Sequence, residues 1–373
     1  MNPLVQFPRI HLAFGARSVL AEELALLGIA RPLFVTDRGL VECGVFARVR
    51  EALPHGTGFA VFDAIPENPT VAGVEGASAV YRAEGCDGIV AVGGGSVIDS
   101  AKAVALLAGH AEPLAHYLGH PERITAAIAP LIALPTTAGT GSEASRGAGI
   151  HPDATSRGAS LGSAFLVPKV AICDPELTLT LPPRMTAGTG MDALSHCIEA
   201  FLAETAHAPA DAIALDGAGR VVAHIERAVV AGTDRTARAE LMMAALQGGM
   251  ALSCKGAGPA HAIANSFGDR GLHHGALVTI ALPAVLRFFE RHVPDKMRRL
   301  AAAMQAPPGK SPADIVAAFN AHVGLPPSLS ALGYRGGDLD EMADDAAKSH
   351  FNARAAYRPT AAEFKSMMAE ALG

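Results

Sequence analysis

The sequence has little positive charge to spare: 30 Lys and Arg stand against 36 Asp and Glu, a formal net charge of −6. The basic residues form no cluster, and a nucleic acid or an anionic membrane needs a concentrated basic face, so neither is an expected partner. Long uninterrupted apolar runs are missing as well. The two richest, "GIVAVGGGSVIDSAKAVALLAG" and "IAPLIALPTT", are broken by Asp99 and Lys102 or by Pro130 and Pro135, which argues against a bilayer span. The start "MNPLVQFPRIHLAFGARS" shows no basic stretch leading into an apolar core and a small-residue cleavage site, so no secretory signal is expected. Cysteine is sparse. Cys43, Cys86, Cys173, Cys197 and Cys254 show no CxxC spacing, which fits reduced structural thiols better than a disulfide framework. Cys197 adjoins His196 but faces away from it on a helix, and reads as packing. These absences predict a soluble, cytoplasmic protein.

What is present is ample apolar material, 50% of 373 residues, enough for two cores at roughly 150 residues per domain. Up to about residue 180, short β-rich runs alternate with helical ones. "RPLFVTD" reads as a strand, "GLVECGVFARVREAL" as a helix, "GFAVFD" as a strand and "PTVAGVEGASAVYRAEG" as a helix. "GIVAVGGGS" then runs into "VIDSAKAVALLAG", and "APLIALPTT" follows. That alternation implies a parallel sheet covered by helices. Beyond "LTLTLPPRMTAG" the segments become Ala-rich with helical periodicity, among them "DALSHCIEAFLAETA", "ADAIALDGAGRVVAHIERAVV", "ARAELMMAALQGGMAL" and "ADIVAAFNAHV". The expected class is therefore α/β plus all-α. A parallel-sheet, Rossmann-like domain is expected over 1–181 and a helical one over 182–373, with the boundary near Leu181 to Arg184.

Chemistry gathers in three places. In "VAVGGGSVIDSAKA", Gly93, Gly94 and Gly95 separate a strand from a helix. Without Cβ atoms the chain turns tightly and brings N–H groups against a phosphate at the helix N-terminus, with Ser96 placed as an N-cap. A tight turn with no ligand is the competing reading, because this is not the full GxGxxG pattern. In "LPTTAGTGSEAS" a strand ends at Pro135 and the hydroxyls of Thr136, Thr137, Thr140 and Ser142 cluster with two glycines. Two such patches imply a nucleotide across the sheet edge. Asp37, closing "FVTD", suits both ribose hydroxyls and repels a 2′-phosphate, which predicts NAD over NADP; on spacing alone it serves equally as the N-cap of the next helix.

The third place is "GMDALSHCIEAF". Asp192 and His196 stand four apart, so they are neighbours on one helix face, either as an ordinary ion pair or closing jointly on something between them. "GAGPAHAIANSFGDRGLHHGALVT" adds His261 and the pair His273 and His274. Asp192, His196, His261 and His274 form one carboxylate and three imidazoles, a coherent set for iron(II) or zinc(II). A cation held that way retains a net charge of about one and acts as a Lewis acid toward an alcohol or carbonyl oxygen.

These blocks together resemble the iron-containing (group III) alcohol dehydrogenase family over nearly the whole chain, from "FVTDRGL" through "AVGGGSVIDSAKA", "LPTTAGTGSEAS" and "CDPELTLTLPPRMTAGTGMDALSHCIEA" to "HHGALVTIALP". The resemblance implies two domains with the cofactor in the cleft between them, and an NAD(P)-dependent conversion of a primary alcohol to its aldehyde. It assigns metal ligation, and catalysis through the metal, to Asp192, His196, His261 and His274, with His273 and Asn265 as further catalytic candidates. It places Asp37, Asn68, Gly94, Gly95, Ser96, Asp99, Thr136, Thr137 and Thr140 at the dinucleotide. It also suggests a homodimer, with the β-prone "FPRIHLAFG" as its seam.

The chain departs from that pattern at three points. Asn265 stands where the family commonly has a second histidine, and an amide shuttles no proton at neutral pH. Gly158, with Arg157 beside it, replaces a cofactor-side lysine. "SHFNARAAYRPTAAEF" fits the usual Asn-Pro-Arg signature poorly, and its Arg354 and Arg358 suit either an acidic substrate or an ordinary exposed surface. Two other enzyme types share the architecture. A maleylacetate reductase is not expected to keep the ligands, and a dehydroquinate-synthase-type lyase needs several basic residues around a phosphate-bearing sugar acid.

Overall fold

The structure, a computed structural model, describes residues 6–153, 156, 158–268 and 274–373. The described chain divides into two compact units. One comprises Leu4–Thr137 with Gly141–Thr180, the other Ala138–Thr140 with Leu181–Gly373.

The first unit is built on strands β1 (Arg9–Leu12), β2 (Pro32–Val35), β3 (Ala60–Phe62), β4 (Gly88–Gly93), β5 (Leu131–Pro135) and β8 (Val170–Cys173). They form one sheet in the order β1-β8-β5-β4-β2-β3, every pair parallel. The central strands are apolar throughout because both faces are covered. Leu33, Val35, Ile89, Ala91, Leu131 and Ala133 pack into one core, and their neighbours Phe34, Val90, Val92, Ile132 and Leu134 into the other, the two-residue period of a pleated strand. Helices α1 (Leu20–Leu26), α2 (Arg38–Glu42), α3 (Val45–Arg50), α4 (Val71–Ala83) and α5 (Gly95–Gly109) make the crossovers. The order reverses between β2 and β4: β3 lies to one side of β2, while β4 and then β5 continue on the other. Ligands of such sheets bind outside the carboxyl ends at that switch.

Three details differ from the sequence reading. The single helix expected over "GLVECGVFARVREAL" is two, α2 and α3, because Gly44 between them takes a left-handed φ of 79°. Ser96 is not the cap of α5; Gly94 is, in an extended conformation, and Ser96 lies inside the first turn with its hydroxyl donating to the Glu67 carbonyl. A short antiparallel pair, β6 (Gly147–Ile150) with β7 (Ala159–Gly162), was not expected.

The second unit is helical: α6 (Pro183–Leu202), α7 (Ala208–Val230), α8 (Arg235–Lys255), α9 (Pro259–Ser266), α10 (His274–His292), α11 (Pro294–Ala303), α12 (Pro312–His322), α13 (Leu339–Lys348) and α14 (Ala361–Leu372). Small residues let α6, α7 and α8 approach closely. A Cβ on Gly190 would lie 2.3 Å from Ile225 Cδ1, and one on Gly217 2.6 Å from Cys197 Sγ. Cys197 is fully buried there, and all five cysteines are free. Among the described residues no helix is long and apolar enough to cross a membrane.

Candidate metal centre and nucleotide edge

Helix α6 begins with Pro183 in its first turn and carries Asp192, His196 and Glu199 on one buried face, successive members four and three residues apart. Helix α9 begins after Gly258 and presents His261 in its first turn. Asp192, His196 and His261 each offer a ligand atom, all within 4.8 Å of one another. The three are 7%, 7% and 4% exposed. His196 Nε2 and His261 Nε2 face each other at 3.1 Å, and Asp192 Oδ1 lies 3.6 Å from His196 Nε2.

The outer ring nitrogens show why the inner ones face each other. His261 Nδ1 is 2.5 Å from Glu199 Oε2, and His196 Nδ1 is 3.3 Å from the Gly139 carbonyl. Each outer nitrogen donates its proton to an acceptor, so each inner nitrogen points a lone pair at the shared point. Asp192 Oδ1 is buried and accepts no hydrogen bond. A carboxylate oxygen without a donor beside two converging imidazole lone pairs is a donor set that suits a divalent first-row cation. Burial disfavours protonation of both rings. At His196 it prevails over the pull of Asp192 and lowers the pKa; at His261 the Glu199 carboxylate overcomes it and the pKa is raised.

Glu199 has a second task. It also accepts from the backbone N–H of Ala260 at 2.6 Å and of His261 at 3.4 Å, so one carboxylate of α6 closes the N-terminus of α9 and orients the imidazole α9 carries. Gly258 makes room, since a Cβ there would lie 3.1 Å from Glu199 Oε1. Glu199 was overlooked in the sequence, although its position three residues after His196 places it on the same face. Gly139 gave no signal because it contributes a main-chain oxygen.

His274 opens α10 with an exposed side chain, its ring centroid 5.5 Å from that of His261. It stands beside the trio, whose ligand atoms converge without it. Asn265 is half-buried on α9, one turn beyond His261. His273 and Arg157 lie outside the described residues. Gly158 is against His151, whose ring would be 3.3 Å from a Cβ. Arg358 pairs with Glu204 at 2.8 Å on the surface.

In the sheet unit, Gly93 ends β4 opposite Pro135 of β5, so Gly94, Gly95 and Ser96 stand beside Thr136 and Thr137 at the carboxyl edge. A Cβ on Gly93 would lie 2.4 Å from Val97 Cβ, and one on Gly94 3.3 Å from Thr137; the bare backbone is what the edge offers a ligand. Asp37 follows β2 at the same edge and caps α2, accepting from Leu40 N at 2.9 Å. Asn68 is exposed. Asp99 is engaged internally, accepting from Gly149 N at 2.9 Å and from Lys102 at 3.5 Å. Thr140 goes with the helical unit.

The profile described as Iron-containing alcohol dehydrogenase matches residues 8–175, and that described as Fe-containing alcohol dehydrogenase family, C-terminal, matches 186–372. The chain belongs to the iron-containing alcohol dehydrogenase family. It is accordingly a metal-dependent oxidoreductase that moves hydride between an alcohol or aldehyde and NAD(P). A 4-hydroxybutyrate dehydrogenase of Cupriavidus necator is 46% identical over 97% of this chain and 98% of its own. The crystal structure of a 1,3-propanediol oxidoreductase superposes with a TM-score of 0.91 at 30% identity, covering all of both chains. That of a sulfoacetaldehyde reductase from Bifidobacterium kashiwanohense in complex with NAD+ gives 0.90 at 26% identity, over 100% of this chain and 98% of that one.

Proposed function

We propose that this member of the family is an iron(II)- and NAD-dependent dehydrogenase of ω-hydroxy carboxylates, converting a 4-hydroxybutyrate-type primary alcohol to its semialdehyde. The metal part of the reading is carried by the convergence of Asp192 Oδ1 with the two Nε2 atoms, whose outer nitrogens are already committed. The substrate class rests on the likeness to the Cupriavidus enzyme.

Asp192, His196 and His261 hold the cation, with His274 as the fourth ligand from the start of α10; zinc(II) suits the same donors. When bound, the cation serves as a Lewis acid for the substrate oxygen and the nicotinamide as the hydride acceptor. Asp192 supplies the single negative charge of the set. Glu199 and the Gly139 carbonyl hold the two rings in the ligating tautomer, so ring orientation is paid for in folding. Residues 1–181 form the dinucleotide-binding domain and 182–373 the metal-binding one. Gly94, Gly95, Ser96, Thr136 and Thr137 approach the pyrophosphate, with Asn68, Asp99 and Thr140 also assigned to the dinucleotide, and Asp37 takes the ribose hydroxyls and favours NAD. The enzyme works in the cytoplasm as a homodimer joined along the edge strand β1. The metal donors argue against a maleylacetate-reductase reading, and a lyase of the dehydroquinate synthase type lacks its basic surround in "GMDALSHCIEAF".

The test is steady-state NADH and NADPH formation by iron-loaded protein with 4-hydroxybutyrate and a panel of alcohols. The His261→Ala variant is expected to lose metal and turnover together while still binding NADH. Full turnover by the variant, or none by the loaded wild type, would refute the assignment.

A further inference from the structure

We propose that Phe351 walls the alcohol side of the metal centre and selects alcohols unbranched next to the reacting carbon, a role that rests on the ligand assignment above. Asp192, His196 and His261 are buried, and α6, which carries the first two, also shuts off the outer nitrogen of His261 through Glu199. Among the described residues two rings outside the trio border His261: His274, its centroid 5.5 Å away, and Phe351, at 5.7 Å. His274 is exposed and Phe351 half-buried, so the buried trio is open to solvent, and to an alcohol, from their side. The Phe351 ring is tilted by 49° to the imidazole and thus stands beside the ligand instead of stacking over it. An apolar ring of that size next to a metal ligand is the surface on which the carbon chain of a bound alcohol rests.

The fold holds the ring in place. Helix α13 packs against α9, and just past its end the Phe351 N–H donates to the Ser349 hydroxyl at 3.3 Å. Asn352, itself buried, donates its amide to the carbonyls of Ala347 at 2.9 Å and Pro359 at 3.0 Å, closing the segment on itself. Beyond it Ala355 bridges to Ala203 at the end of α6; Glu204 N donates to the Arg354 carbonyl at 2.8 Å and Ala356 N to the Leu202 carbonyl at 3.2 Å. Ala203 stands about two turns beyond His196, so the helix that supplies two ligands also anchors the segment that carries the ring. His350 lies against that ring at 4.0 Å, centroid to centroid. A ring confined between neighbours does not swing aside for a bulkier substrate, and a single methyl group that meets such a wall changes selectivity by about 10-fold or more. Butan-1-ol and 4-hydroxybutyrate carry no such branch.

The experiment compares kcat/KM for butan-1-ol with that for 2-methylpropan-1-ol in iron-loaded wild type, Phe351→Leu and Phe351→Ala, with metal content checked in each. Phe351→Ala is expected to lower the ratio of unbranched to branched alcohol about 10-fold at unchanged metal content, and Phe351→Leu to fall between it and wild type. A residue that merely supports His261 would instead lose metal, or slow both alcohols equally and leave the ratio in place, and either result overturns the proposal. A second readout does not depend on turnover. The chain contains no tryptophan, so Phe351→Trp introduces a single one. Its emission should be quenched when cobalt(II) is added and shift saturably to shorter wavelength with butan-1-ol; emission indifferent to both places the side chain away from the site and sinks the proposal. Should the variants fail to fold, wild type alone decides: it should prefer butan-1-ol, and equal use of the two alcohols refutes the wall. A wild type without metal-dependent turnover removes the ligand assignment and this inference with it, while metal-dependent turnover with a ratio insensitive to residue 351 removes only the latter.

Discussion

The two units prepare their sites in opposite ways. At the sheet edge the polar groups are satisfied from within: Asp99 accepts from Gly149 and Lys102, Asp37 caps α2, and Ser96 donates to Glu67. What remains for a ligand is bare backbone at a helix start. In the helical unit the outer shell is satisfied and the inner one is not. Glu199 and Gly139 engage the outer imidazole nitrogens, while Asp192 Oδ1, which accepts no hydrogen bond, and the two Nε2 atoms converge on one point. A phosphate is recognised by shape and N–H direction, which a folded turn supplies by itself. A cation is recognised by lone pairs, which have to be aimed at one point and kept from pairing with anything else.

The contrast is most sharply tested at Glu199. Glu199→Ala should leave the buried N–H groups of Ala260 and His261 without acceptors, costing about 1–3 kcal/mol for each unmet group, and should weaken metal binding by about 10–100-fold. Glu199→Gln should restore most of the stability and less of the metal affinity. Thermal melts with metal titration separate the two losses, and NADH binding should be unchanged if the units act as described. In the sheet unit the sensitive acid is Glu143, fully buried, its pKa pushed up to about 7 by burial against the partial relief of its backbone hydrogen bond and Lys102. Its folded pKa lies above the ordinary 4.5, so the folded chain keeps a proton that the unfolded chain releases, and stability falls as pH rises from about 4.5 to 7. Glu143→Gln should flatten that fall, which amounts to about 3 kcal/mol across the window, in denaturant midpoints measured at each pH. Gly93→Ala puts a methyl 2.4 Å from Val97 Cβ and should destabilise by about 1–3 kcal/mol, with weaker nucleotide binding and unaltered metal content.

The sequence disclosed these two sites unequally. Asp192 and His196 were legible only in company: four-residue spacing alone reads as an ordinary helix ion pair, and His261, His274 and the family's sequence blocks are what turned it into a ligand set, while the strand-to-helix glycines were legible because a tight turn demands them. Glu199 was not, since a glutamate on a helix ordinarily faces water, and only the position of α9 makes it a buried hinge between ligand and helix end. Lys102 is another instance: a lysine on a helix ordinarily faces water, yet this one is fully buried, donating to Ser145 at 3.1 Å and the Gly147 carbonyl at 2.6 Å. The β6–β7 pair it supports was missed as well. The break at Gly44 was hidden because a glycine in a helical run is common, and its left-handed φ is not encoded by spacing.

The smallest expected effect concerns Asp37, whose side chain caps α2 and is proposed to take the ribose hydroxyls as well. Its Oδ1 accepts from Leu40 N, a cap whose removal by alanine costs about 1 kcal/mol. Asparagine keeps that acceptor and removes the charge. If the carboxylate also repels a 2′-phosphate, Asp37→Asn should melt close to wild type yet narrow the preference for NAD over NADP by about 10-fold, while Asp37→Ala narrows it equally and melts lower. If the carboxylate serves as a cap alone, asparagine changes neither quantity, and the nucleotide edge discriminates through backbone alone.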